Sequence, residues 1–66
     1  MNELRLDYIR ECADLLASYA VSISEAAYQG NPERVRAYFD CLRLVGRDIN
    51  RTLSEIEAAE KAKEPA

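Results

Sequence analysis

Six residues, Tyr28-Gln29-Gly30-Asn31-Pro32-Glu33, break an otherwise continuous helical pattern in two. Gly30 is suited to the left-handed conformation that ends a helix. Asn31 supplies a side-chain oxygen that can cap the next one, and Pro32 fits a first turn where its missing N–H has no intrahelical partner. Glu33 then lies at the positive end of the new helix dipole. The chain is therefore expected to be an all-α antiparallel hairpin. Helix 1 covers about residues 3–28, a turn about 29–32 and helix 2 about 33–60, with a frayed tail at about 61–66.

The apolar residues on both sides of this break follow a helical period. Before it, Leu6, Ile9, Ala13, Leu16, Ala20, Ile23 and Ala27 alternate in steps of three and four, and Cys12, Tyr19 and Ala26 broaden the stripe. After it, Val35, Tyr38, Leu42, Val45, Ile49, Leu53 and Ile56 do the same, with Phe39 and Gly46 alongside. Closure at Gly30-Asn31 predicts that facing residues have numbers summing to about 61 or 62, which sets Leu16 against Val45 and Gly46, Ile23 against Tyr38, and Ile9 against Leu53. Core and dimer candidates are accordingly Ile9, Leu16, Ile23, Tyr38, Leu42, Val45, Gly46, Ile49 and Leu53. Gly46 is out of place in a helix interior, where it is about 1 kcal/mol less favourable than Ala. Close approach of helices at the waist of a bundle would explain it.

Size then points to a partner. A chain of 66 residues buries only roughly 60% of the surface that its unfolded form exposes, and needs a staple or a second chain to be stable. Cys12 and Cys41 would be offset by about eight residues in one hairpin, roughly 12 Å of rise, too far for a bridge. With no His and no Cys-x-x-Cys pair, no zinc site is expected. Two helices also cannot cover stripes this wide, so a homodimer forming a four-helix bundle is the expected assembly. Two packed free thiols are the simple expectation for the cysteines, with a redox-controlled dimer as the lesser alternative.

Catalysis is disfavoured by subtraction. The commonest general base is missing, neither cysteine has a His partner, the serines lack an adjacent base, and the two glycines form no phosphate-cradling loop. Glu3, Asp7, Glu11 and Asp14 follow helical spacing but face away from the stripe, as a solvated row does. Neither metal nor cofactor is expected. Net charge is −3, which disfavours nucleic acid as a partner. The apolar runs are too short for a membrane span, and the start shows no signal-peptide pattern, so a cytoplasmic protein is expected.

Two further groups offer binding surfaces. Leu4, Tyr8, Leu15 and Tyr19 form a row on one flank of helix 1; tyrosine there brings contact area with a polar tip. Arg36, Arg43, Arg47 and Arg51 form a basic ridge on helix 2, with Asp40 among them. Arginine suits bidentate contact with carboxylate or phosphate. The expected function is a small non-enzymatic module that docks on another protein and modulates or inhibits it. Accessory regulators of plasmid or phage type have this size, and such a module could occlude a nucleic-acid-binding partner. An RNA- or DNA-binding dimer using the arginine ridge is the first alternative, and a structural subunit of a larger assembly the second.

Overall fold

The computed structural model describes the backbone of residues 2–63 and the side chains of residues 5–62. It is a hairpin of two antiparallel helices, α1 (Asn2–Tyr28) and α2 (Pro32–Lys63), packed against each other. The connection forms as the turn residues require. Gly30 has φ of 70°. The Asn31 amide donates to the Ala26 carbonyl at 2.9 Å and the Gly30 amide to the Ala27 carbonyl at 3.0 Å. These two bonds close a Schellman motif and satisfy carbonyls that the end of α1 would leave open. On the other side, the Asn31 side-chain oxygen accepts from the Arg34 amide at 3.2 Å and caps α2. Pro32 is the first residue of α2 rather than the last of the turn.

At its other end α2 continues to Lys63, beyond the expected limit near residue 60. Ala58, Ala59, Glu60, Lys61 and Ala62 carry no apolar stripe, but all are strong helix formers, and lysines at the end complement the dipole. Residues 61–63, expected in the tail, are the last of α2, and 64–66 lie outside the described residues.

The hairpin is one helix layer thick, its Cα atoms spanning 55 × 16 × 11 Å. A single layer leaves both broad faces in contact with solvent, and the core is correspondingly thin. Only Cys12 (5% exposed), Ala26 (2%) and Ile56 (9%) are buried among the described residues, and no large side chain is fully enclosed.

On α2 the inward seam runs Val35, Tyr38, Leu42, Val45, Ile49, Thr52, Ile56, all buried or half-buried. Leu53, expected in it, is 41% exposed. On α1 the seam is rotated from the expected stripe. Residues 9, 12, 16, 19, 23 and 26 turn toward α2, whereas Leu6, Ala13, Ala20 and Ala27 are exposed. The most hydrophobic line of α1 therefore runs along one side of the contact, and the true centre is the seven-spaced set Cys12, Tyr19 and Ala26. The register is also shifted in places. Arg5 pairs with Glu55, close to the expected sum of 61, but the Tyr38 ring meets Tyr19, with centroids 6.5 Å apart, one turn from the Ile23 expected opposite it.

Candidate functional site

The rotation of α1 gives the hairpin two unlike faces. On the first, Tyr8, Leu15, Glu11, Ser18, Ser22 and Glu25 of α1 lie alongside Cys41, Leu44, Asp48, Arg51 and Glu55 of α2, as helical phase dictates. Polar groups cross the seam here. The Tyr8 hydroxyl donates to Asp48 Oδ2 at 3.4 Å, and Asp48 Oδ1 accepts from Arg51 Nη2 at 2.8 Å. Arg5 pairs with Glu55 on the seam further toward the open end. Tyr8 sits beside the Cys12 thiol. Hydrogen bonding with that thiol, and then the negative charge of Asp48, raise the Tyr8 phenol above its ordinary value, because both favour the protonated form.

The second face is apolar. Leu6, Ile9, Ala13, Leu16, Ala20, Ile23 and Ala27 from α1 lie beside Val35, Phe39, Leu42, Gly46, Ile49 and Leu53 from α2. At the turn end it opens into a groove of about 570 Å³ whose walls include Ile23, Ala27, Val35 and Phe39. The Arg36 guanidinium lies over the Phe39 ring at 5.7 Å and forms the groove's charged lip. Leu6 at 52% and Phe39 at 43% exposure show how little of this face the chain covers by itself.

The row expected on the flank of α1 is divided between these environments. Tyr19 belongs to the seam, stacked obliquely on Tyr38. Tyr8 and Leu15 remain accessible on the polar face, Tyr8 partly committed to Asp48. The Leu4 side chain lies outside the described residues. Leu44, which spacing alone did not join to this row, is 56% exposed at the level of Leu15 across the seam. The signal for it was available in the hairpin register, which places residue 15 opposite about 45.

The four arginines do lie together along the outer edge of α2, but largely with their own counterions. Asp40 is 3.7 Å from Arg36 and 3.9 Å from Arg43, and Asp48 holds Arg51. Arg47 has no ion partner among the described residues and shares a shallow hollow with Leu44, Asp48 and Arg51. The cysteines are both free, Cys12 buried and Cys41 exposed.

Among the described residues no group of three or more His, Cys, Asp or Glu is placed to hold a metal ion, and no helix is long and apolar enough to cross a membrane. Comparison with protein-family models, curated proteins and solved structures finds no match.

Proposed function

We propose that this chain is a non-enzymatic protein-binding module, a helical hairpin that docks on another protein and modulates it. The observation that supports this most is the amount of large apolar surface left open. Leu6, Tyr8, Leu15, Val21, Tyr28, Phe39, Leu44 and Leu53 are all exposed on a chain that buries only three residues among those described. Contiguous exposed apolar surface on a small protein marks interaction sites. Tyr8, Leu15 and Leu44 are the best-placed contact group for a foreign protein, since they form an apolar spot rimmed by Glu11, Arg47 and Arg51.

The test is nuclease-treated affinity capture with the immobilised protein, run beside a variant carrying Leu15→Glu and Leu44→Glu. A stoichiometric protein is expected on the wild type and absent from the variant, whose helicity stays at the wild-type level. Equal capture by both would remove these residues from the contact.

Nucleic-acid binding by Arg36, Arg43, Arg47 and Arg51 ranks second, because Asp40 and Asp48 already neutralise much of the ridge. It predicts affinity that falls steeply with salt, as phosphate contacts release counterions. Binding that is flat between low and high salt would exclude it.

A further inference from the structure

We infer that the apolar face is covered by a second copy of the same chain, packed antiparallel, with α2 crossing α2 at Gly46. Three observations lead to this occupant.

The first is area. The chain exposes 5400 Å², whereas a compact monomer of 7.5 kDa exposes about 4,200 Å². The surplus is roughly 1,200 Å² per chain, or about 2,400 Å² for two, the size of an obligate dimer interface.

The second is Gly46. A glycine in a helix interior weakens the helix, and nothing in this chain explains it: a Cβ built there meets no atom within 4 Å. Gly46 nevertheless sits mid-length on the apolar face, where a crossing helix would come closest. Placing the two-fold axis at this residue pairs α2 positions whose numbers sum to about 92. Leu42 then meets Ile49 of the second copy and Phe39 meets its Leu53, while Gly46 meets its own mate. The same axis pairs α1 positions summing to about 29, so Leu6 meets Ile23, Ile9 meets Ala20 and Ala13 meets Leu16. Apolar residues face apolar ones at each of these levels.

The third is charge. Arg36 lies on the rim near the turn, and Glu57, in the helical phase of Phe39, lies near the open end. The antiparallel arrangement places each Arg36 near the Glu57 of the other copy. A parallel arrangement, with both turns at one end, would set α2 against α1 of the other copy and keep Arg36 and Glu57 at opposite ends of the bundle. Opposite charges across the rim fix orientation more than they add affinity.

The dimer leaves the face of Tyr8, Leu15 and Leu44 open, so it does not rest on their proposed role; self-association and capture of a foreign protein can each fail without the other.

Sedimentation equilibrium of the purified protein alone is the test, with Phe39→Glu, Arg36→Glu, Glu57→Arg and the Arg36→Glu/Glu57→Arg double variant. The wild type is expected at twice 7.5 kDa at micromolar concentration. Phe39→Glu should give monomers, folded or not. Each single charge reversal should weaken the dimer by about three- to tenfold, and the double variant should restore it. If Phe39→Glu fails to fold, the charge series still decides the arrangement. A folded wild-type monomer at high micromolar concentration would overturn the inference, as would a larger oligomer. A dimer that the single reversals strengthen or leave unchanged would overturn the antiparallel packing.

Discussion

The two faces of this hairpin carry similar numbers of side chains but are finished to different degrees. On one, Tyr8 and Asp48 reach across the seam beside the Asp48–Arg51 pair, and apart from Leu15 and Leu44 the accessible groups are mostly polar. On the other, Leu, Ile, Ala and Phe side chains run from end to end with nothing over them. The difference arises because α1 is not aimed symmetrically at α2. Its most hydrophobic line is set to one side, where a hairpin of two helices cannot bury it.

Phe39 and Leu44 give the strongest test of that contrast. Both are large and apolar, and they are similarly exposed in the single chain, 43% and 56%. Were the isolated hairpin the whole story, Phe39→Glu and Leu44→Glu would cost about the same. A covered apolar face predicts instead a loss of about 3 kcal/mol or more for Phe39→Glu and about 0.5 kcal/mol or less for Leu44→Glu, measured by urea unfolding at equal protein concentration.

The turn joins the two faces and contributes to both, so its variants should weaken the hairpin without altering their difference. Gly30→Ala meets no steric obstacle, since the space around it is open, but must hold φ at 70°. It should cost about 1–2 kcal/mol in thermal or urea unfolding. Asn31→Ala removes the acceptor for the Arg34 amide and should cost about 1 kcal/mol in the same assay.

The smallest effect concerns the polar face alone. Tyr8 holds its proton more tightly in the folded chain than in the unfolded one, through Cys12 and Asp48. Its contribution is therefore complete below the ordinary tyrosine range and is lost as the pH rises through the folded-state value. Stability followed from pH 8 upward should decline in that range, and Tyr8→Phe should flatten the part due to this residue. Because the side chain is exposed, the change should be small.

Much of the fold is legible in the residues themselves. Gly30, Asn31 and Pro32 announce the turn because each satisfies a different backbone requirement there. The α2 seam is also readable, apart from the exchange of Leu53 for the less hydrophobic Thr52. The phase of α1 is harder. Periodicity reports the whole apolar surface, including the part the hairpin leaves exposed, and the line through Leu6, Ile9, Leu16 and Ile23 outweighs Cys12, Tyr19 and Ala26. Two antiparallel helices near a tight turn need small residues between them, and Ala26 at 2% exposure meets that need better than a larger neighbour would. The Tyr8–Asp48 bond escapes sequence reasoning altogether, because two polar residues 40 positions apart carry no mark of their pairing.

The inferred dimer completes the hairpin with a surface outside itself. Thermal unfolding of the wild-type chain, followed by helical circular dichroism over a hundredfold range of protein concentration, tests it most directly. Association of folded chains stabilises them by mass action, so the midpoint should climb steadily with concentration. A midpoint that stays fixed across that range would mean that one chain is stable with its apolar face bare.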